Sequence, residues 1–501
     1  MPGLTSSIYV GLSGLQAHQG ALNVIGHNIA NVNTPGYARQ RVELGTQDTQ
    51  YFGGFGYGPG VSINAIAGVR DRFLELQTYT EQAKQSGAQG RYEGVQSISA
   101  PLADEGSTGL GAQLQKFLQG FQDLAARPED LSLRQNQVGL AQNFITTLQA
   151  RYRQLDDART RADNSVGSDV QQINALTTQI AALNGRIAGE PSPGADSDAR
   201  DQRKVLTDKL SNLVGIHVFE GTHGEYEISL DSGAATLVND TAHYDLTVTR
   251  DPANNNFYRV DANMAGTVVD VTGRIGEGDL GANLDLRDNI LSGYQQQLDE
   301  LAAGLASVVN VGLPGPPATP GHRAGFALNG VTTGNDFFQA GAANGANGLP
   351  VGITAASNYK GMVFALSVNS AISANPNLIA AAGAAGAPGD NTIAQALGNL
   401  QAAGNTVDTN GDGVGDSGPY SQFIGQLVNK VGTQGQGYQV TSDNQLNLVT
   451  ALQNQRDRVS GVDLDEEATQ MLNFQRGYQA SARFISVINQ LSDQLINDFG
   501  R

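Results

Sequence analysis

The chain has no cysteine and no tryptophan among its 501 residues. Without thiols there is no disulfide framework, no zinc–thiolate site and no catalytic cysteine, so stability outside a reducing compartment must come from packing. Positive charge is scarce too: 30 Lys and Arg stand against 48 Asp and Glu, a net charge of -18. Polyphosphate backbones need clustered cations, so nucleic acid is not an expected partner. No apolar run approaches the roughly 18 residues of a membrane span, and the N-terminus lacks both a basic leader and a continuous apolar stretch. Neither a membrane partner nor a cleaved secretion signal is expected. What is present, 40% hydrophobic residues over this length, can supply several cores, and a folded multidomain chain is expected.

From Met1 to Ala38 there is no Asp, Glu, Lys or Arg, although polar uncharged residues interrupt the apolar ones throughout. Such a surface can pack against other copies without like-charge repulsion or ionic desolvation; it would also suit a weakly soluble terminal helix. Ile8, Leu15, Leu22 and Ile29 fall seven apart, with Leu12, Ile25 and Val32 filling the seam, which predicts one amphipathic helix from Leu4 to about Val32. Leu464, Met471, Tyr478 and Ile485 repeat that spacing, and Ala468, Phe474, Ala482, Ile488, Leu495 and Phe499 widen the stripe. Asp463, Asp465, Glu466 and Glu467 then occupy a first turn, where carboxylates complement the helix dipole without any catalytic role. Two narrow seams at opposite ends predict that the terminal helices pair with each other and, where left exposed, with other copies. The alternative is an ordinary bundle that draws both termini into one core.

Between the ends, Leu110, Leu114, Phe117, Phe121 and Leu124 recur at helical spacing until Pro128, and Ser132 with Gln135 suggests a capping box for the next helix. The helical rhythm continues through Val166, Ile173, Ile180 and Ile187 to Pro191. After Leu213 the period becomes two, at Ile216 and Val218, Tyr226, Ile228 and Leu230, then Tyr244, Leu246 and Val248. The fold class expected is therefore multidomain and mainly α, a terminal-helix coiled coil plus a long helical bundle, with an inserted β-rich domain and a Gly/Ala-rich outer segment. The boundaries expected are 1–66 with 450–501 for the terminal pair and its joint, 67–215, 285–330 and 420–449 for the helical body, 216–284 for the β-rich domain, and 331–419 for a Gly/Ala/Asn-rich excursion of poor core material. Pro35-Gly36 forms a sharp exit from the first helix, with Tyr37 placed to anchor it.

Chemical motifs are few. Gly415-Asp416-Ser417-Gly418-Pro419 with Thr241-Ala242-His243 resembles pieces of a trypsin-like protease, but the loop is one glycine short and nothing in its Gly/Ala-rich surroundings builds a pocket. Asp408-Thr409-Asn410-Gly411-Asp412-Gly413 copies half a calcium loop, yet Pro419 stands where the bidentate Glu belongs, so a Gly/Asp surface turn is the simpler reading. His217, His223 and His243 lack ligand spacing. The Gly54 to Gly60 stretch, interleaved with Phe55, Tyr57 and Pro59, carries no dinucleotide fingerprint and reads as an aromatic-studded loop. No catalytic, cofactor or metal residues are assigned.

Asn28-Ile29-Ala30-Asn31-Val32-Asn33-Thr34-Pro35-Gly36-Tyr37 resembles the N-terminal signature of the rod, hook and hook-associated proteins of the bacterial flagellum, and Arg39-Gln40 is the hook-associated version. Ser460-Gly461-Val462-Asp463-Leu464-Asp465-Glu466-Glu467-Ala468, with Gln475 and Tyr478-Gln479-Ala480-Ser481-Ala482-Arg483, is similar to the C-terminal signature, in which the hook protein usually carries Asn at the place of Gly461. Asp201-Gln202-Arg203, the stretch from Leu280 to Asp288, and Asp336-Phe337-Phe338 resemble internal landmarks of the hook-associated members. The Pro-rich stretch after Val311 and the loop at Asp408 depart from that pattern. The resemblance implies a non-enzymatic structural subunit at the junction of hook and filament, needed for filament assembly and motility. It implies terminal helices nearest the axis, export by the flagellar type III apparatus, and an extracellular place in the flagellum. Implied partners are other copies in a ring of the helical lattice, the hook protein, a second junction protein of the hook-associated protein 3 type, and an export chaperone at the C-terminal helix. Ile8, Leu15, Leu22, Ile29, Asn31, Pro35, Gly36, Tyr37, Leu464, Met471, Tyr478 and Ile485 are the candidate assembly residues. Alternatives are another axial subunit, of hook or distal rod, and, on the loop at Asp408 alone, a secreted protease or calcium-binding adhesin.

Overall fold

Helix α1 (Pro2–Ala30) ends one turn before Pro35, and the chain next forms β1 (Gln40–Thr46), β2 (Gln50–Phe52), β3 (Phe55–Tyr57) and β4 (Val61–Gly68), with β1 paired to β4 and β2 to β3, both antiparallel. The helices α2 (Arg72–Leu102), α3 (Leu110–Ala126), α4 (Leu131–Ala188) and α5 (Ser197–Leu213) follow. Next come β5 (Ile216–Glu220), β6 (Tyr226–Leu230), β7 (Thr236–Asn239) and β8 (Ala242–His243) in one sheet, then β9 (Leu246–Asp251), β10 (Phe257–Met264) and β11 (Thr267–Asp270) in another with β10 central. Helix α6 (Gly278–Asp285) passes through a π-helical turn at Leu286–Ile290 into α7 (Leu291–Val311). Short helices α8 (Met362–Ala365), α9 (Ser370–Ala374) and α10 (Thr392–Gly398) precede the long α11 (Tyr420–Ser460) and α12 (Leu464–Phe499). This computed structural model describes residues 2–52, 55–102, 106–190, 196–264, 266–313, 318–339, 344–354, 357, 359–401 and 419–499. The half calcium loop and protease-like serine, at Asp408 to Gly418, lie outside the described residues.

Two compact units emerge: unit 1 comprises residues 1–88, 166–282 and 441–501, and unit 2 comprises 89–165 and 283–440. In unit 2 one apolar core runs from Val95 to Val431 and includes Phe117, Phe121, Phe144, Phe337 and Phe338, all fully or nearly buried. The rings of Phe337 and Phe338 meet edge to face at 5.0 Å, and that of Phe121 packs on Phe337 at 5.4 Å. Arg287, with no exposed surface, bonds Asp163 at 2.8 Å and Asp288 at 2.6 Å, while Arg159 donates to the Arg287 carbonyl at 2.8 Å and to Gln295 at 2.7 Å. Each buried charge thus has a partner, the condition under which burying it is tolerable.

Three expectations need correction. The segment after residue 330 is not poor core material: Phe337, Phe338, Leu349, Val363, Ile372, Ile379, Ile393, Leu397 and Leu400 all join the core of unit 2. Asparagine side chains, one from α7 and one within the segment, do what regular secondary structure does elsewhere. Asn310 Nδ2, from α7, donates to the carbonyls of Phe338 and Gly348 at 2.8 and 2.9 Å, and Asn369 Nδ2 donates to that of Asp336 at 2.9 Å, so these carbonyls of irregular backbone are buried with donors. Arg134 fastens the segment further, donating to Ile379 O at 2.7 Å and Pro128 O at 2.6 Å. Second, α4 is capped by Asp130, whose Oδ1 accepts from Ser132 N at 2.8 Å and Leu133 N at 3.3 Å, so Ser132 sits inside the helix and makes no capping box. Third, the strands end at Asp270 and α6 begins at Gly278, before the expected boundary of 284.

Candidate assembly site

Helices α1 and α12 pack together in unit 1, and small residues set their distance. A side-chain carbon at Gly11 would stand 2.7 Å from Ile485 Cγ1 and 3.0 Å from Phe484 Cδ1, so glycine is what lets the helices approach. Gly14 faces Ser481, Gly477 faces His18, and the His18 and Phe474 rings lie 5.9 Å apart. Residue numbers rise along one helix as they fall along the other, so the pair is antiparallel.

The candidate seam residues are unevenly buried. Ile8, Leu15, Leu22 and Ile29 on α1, and Met471, Tyr478 and Ile485 on α12, are half-buried. Leu464 is 51% exposed and does not enter the pair, because it lies in the first turn beside Asp463 and Asp465. The most buried face of α1 joins Ile25 of the expected seam to residues that a heptad of large side chains overlooks, Ala17, Ala21, Val24 and Asn28. Part of that face meets the β1–β4 hairpin, where Ser13 Oγ accepts from Val61 N at 3.1 Å and Gly20 lies against Ile63. Large apolar side chains remain in solvent on both helices, among them Tyr9, Leu12, Leu472, Phe484, Val487, Leu491 and Ile496.

The joint is built around Asn28, which the periodicity reading left without a role. Its Oδ1 accepts from the Tyr37 hydroxyl at 2.7 Å and from Gln40 N at 2.9 Å, and its Nδ2 donates to Gln40 O at 2.9 Å. With the phenol proton committed to Asn28, His27 Nδ1 donates its own to the Tyr37 oxygen at 3.0 Å. Asn31 closes the helix end, donating to His27 O at 3.0 Å and accepting from Thr34 Oγ1 at 3.0 Å. Pro35 is exposed, and Gly36 has φ of 79°, where a side-chain carbon would strike Val205 Cγ2 at 2.5 Å.

Residues far along the chain tie the joint down. Asp201 pairs with Arg70 and accepts from Ala38 N at 3.3 Å. Burial pushes its carboxyl up to about 6, against the opposing pull of Arg70. Burial also raises the Tyr37 phenol, with Asp201 adding to the effect. Arg39 N donates to Ser460 O at 2.8 Å and its guanidinium meets Glu466 at 2.5 Å, so the exit of α1 and the entry of α12 are one structure. Beside them Glu467 is 1% exposed, and burial lifts its carboxyl above the ordinary range. A groove of about 720 Å³ opens beside Tyr37, lined by His27, Asn31, Leu183, Arg186 and Val205 among others. Asp201 and Glu467 lie within the signature stretches, but nothing in their spacing announces that they meet at the joint after α1. Among the described residues, no group of three or more His, Asp or Glu side chains is placed to hold a metal, and no helix is long and apolar enough to cross a membrane.

Comparison with known proteins agrees along the chain. The family described as flagellar hook-associated protein FlgK helical domain matches residues 95–338, the flagella basal body rod protein family matches 8–37, and the flagellar basal body rod FlgEFG protein C-terminal family matches 453–498. Flagellar hook-associated protein 1 of Escherichia coli (strain K12) is 28% identical over 99% of this chain and 100% of its own length, and that of Bacillus subtilis (strain 168) is 26% identical over 99% of both. The flagellar hook protein FlgE of Borreliella burgdorferi is 48% identical, but over 10% of this chain. In fold, the chain is similar to the flagellar hook junction protein FlgK from Burkholderia pseudomallei, with a TM-score of 0.62 and 18% identity, covering 77% of this chain and 100% of that one.

Proposed function

We infer that this chain, which belongs to the flagellar hook-associated protein 1 family, is a structural subunit of the bacterial flagellum that polymerises at the hook tip and joins hook to filament. The observation that carries the reading is the terminal helix pair: its joint is fixed by the hydrogen bonds of Asn28, while its flanks keep large apolar side chains in water. Copies that cover those flanks bury side chains worth roughly 1.5–3 kcal/mol each, and the gain repeats at every subunit of an array. The hook protein is the neighbour on one side, a second junction protein of the hook-associated protein 3 type on the other. An export chaperone holds the C-terminal helix before assembly, and the subunit leaves the cell through the flagellar type III apparatus to an extracellular place. The subunit works by geometry and performs no chemical reaction.

Deleting the gene should leave hooks without filaments while flagellin accumulates unassembled in the medium, and the full chain supplied in trans should restore filaments. Normal filaments on the deleted cells would end the reading.

A further inference from the structure

We propose that the joint after α1 is a proton-operated clasp: its carboxylates outnumber the cations that face them, and a proton taken up by the cluster in mild acid fastens the terminal pair to α2 and α5, whereas its loss toward alkaline pH loosens them.

The backbone at the joint shows what the clasp holds. Three successive amides are each bonded to a different helix or its end: Ala38 N to the Asp201 carboxyl of α5, Arg39 N to Ser460 O of α11 at 2.8 Å, and Gln40 N to Asn28 Oδ1 of α1 at 2.9 Å. Anything that strengthens or weakens this short stretch therefore acts on all three helices.

Two guanidiniums serve four carboxylates there. On the side of α12, Arg39 meets Glu466 at 2.5 Å and is also within Coulomb range of Glu467. Glu467 is 1% exposed, and its Oε2 has no hydrogen-bond partner among the described residues, the condition in which a carboxyl favours a proton over a charge. On the side of α2 and α5, Arg70 is divided between Asp201 and, at 3.6 Å, Glu75, both buried. Other charges facing the cluster do not correct the imbalance. Lys204 bonds Asp208 at 2.7 Å, Arg456 bonds Asp457 at 2.5 Å, and Asp198, exposed in the first turn of α5, adds negative charge beside Asp201. Burial keeps the Tyr37 phenol neutral, helped by Asp201, Asp198 and Glu467, and His27 meets its oxygen from the exposed side.

The sign follows from burial. It lifts Glu467 and Glu75 above the ordinary carboxylate range and Asp201 to about 6, so each binds a proton more tightly with the joint closed than open. Closure gains as pH falls through 6, and none of that gain is left at about pH 8. With 3.8 for the open joint, Asp201 by itself favours closure about tenfold more near pH 5 than near pH 8. Both oxygens of Asp201 lie 3.3 Å from Ala38 N, so the carboxyl keeps that bond with a proton on either one.

The three amides report on the clasp directly. Hydrogen exchange of the full chain, corrected for the intrinsic pH dependence of amide exchange, should show Ala38, Arg39 and Gln40 about tenfold better protected near pH 5 than near pH 8. The amides of β10, in the same unit, should change by less than about twofold. Glu467→Gln, which removes one charge and keeps the shape, should raise protection of the three amides near pH 8 and match the wild type near pH 5. His27→Gln should keep the whole response. Protection at these amides that ignores pH, or falls in acid, would overturn the clasp whatever the variants do. Lower protection in Glu467→Gln with β10 unchanged would also overturn it, since the joint would then need the charge. A response lost in His27→Gln would do the same by making the imidazole the sensor.

Discussion

In unit 2, Phe117, Phe121, Phe144, Phe337 and Phe338 are each no more than 2% exposed, whereas on α12 the one buried apolar side chain among the described residues is Ile488, at 9%. Both regions are rich in apolar residues, and both are organised by helices. The difference is where the partner surface comes from. Unit 2 supplies its own, from α3, α4, α7 and the irregular segment that Asn310 and Asn369 hold in place. The terminal pair supplies α12 and the β1–β4 strands for α1, and still leaves large apolar side chains of both helices in solvent, Tyr9 and Leu12 on one and Val487 and Ile496 on the other. A subunit that assembles gains from this division, because its fold does not depend on the contacts that join it to others.

The comparison breaks most visibly in the core. Phe337→Ala should cost about 3–5 kcal/mol, the range for emptying a buried aromatic site, and calorimetry should show unit 2 melting earlier. Unchanged melting would mean that the segment around Phe337 is not integral to that core.

Acid tests the same unit through His322, which is fully buried, lies 2.7 Å from Asn335 O through Nδ1, and accepts from Ala380 N at 2.8 Å through Nε2. Burial lowers its pKa from 6.5 to about 4, so the unfolded chain takes up this proton first as pH falls. The stability contributed by neutral His322 is complete above pH 6.5 and is lost between 6.5 and 4, on the order of 3 kcal/mol. Asp299 works the other way, since burial lifts its carboxyl to about 6 and protonation there favours the folded state. The measurable quantity is therefore the stability difference between the wild type and His322→Gln in denaturant titrations, which should shrink by that amount over the window. A difference constant with pH would contradict the neutral buried imidazole.

At the joint, Gly36→Ala should cost about 1–3 kcal/mol, because a side chain is forced into positive φ against Val205. Hydrogen exchange should locate the loss at residues 31–40 and leave unit 2 protected; a loss shared by both units would erase the distinction between them.

The smallest effect on the single copy should have the largest consequence in the cell. Ile485→Asp, at the half-buried position against Gly11, should leave the melting of the body within about 0.5 kcal/mol of wild type, as for a substitution outside any packed core. The carboxylate would nonetheless sit between α1 and α12 and loosen the pair that other copies must cover, so the variant should be exported, remain soluble and be missing from isolated flagella, with flagellin leaking into the medium. Normal incorporation would remove this face of α12 from assembly, and an unfolded body would make the terminal pair part of the core.

Much of the helical layout is legible before any coordinates, because Ile8 to Ile29 and Met471 to Ile485 announce their period directly. Leu464 shares the period but not the packing, since spacing cannot tell a seam residue from one in an exposed first turn. Asn28 was within the quoted signature, yet its three hydrogen bonds depend on how the chain turns back at Gly36. The Gly/Ala/Asn-rich segment misled for a related reason: composition records how little regular structure it can form, not how well asparagine amides can serve buried carbonyls.

By itself, the sequence determined the elements whose cause is local: helices from apolar spacing, the exit at Pro35-Gly36 from backbone restrictions, the β-rich insert from its period of two, and an uncharged N-terminal face compatible with other copies. The tertiary structure alone decided which elements share a unit, why Asp201 and Glu467 are buried beside a turn at residue 37, and which flanks of α1 and α12 stay open. Periodicity is a property of neighbours along the chain and is visible in one dimension. Burial, carboxylate pKa and free surface are set by groups brought together from hundreds of residues apart, as Arg39 is to Ser460 and Glu466, and no spacing encodes that meeting.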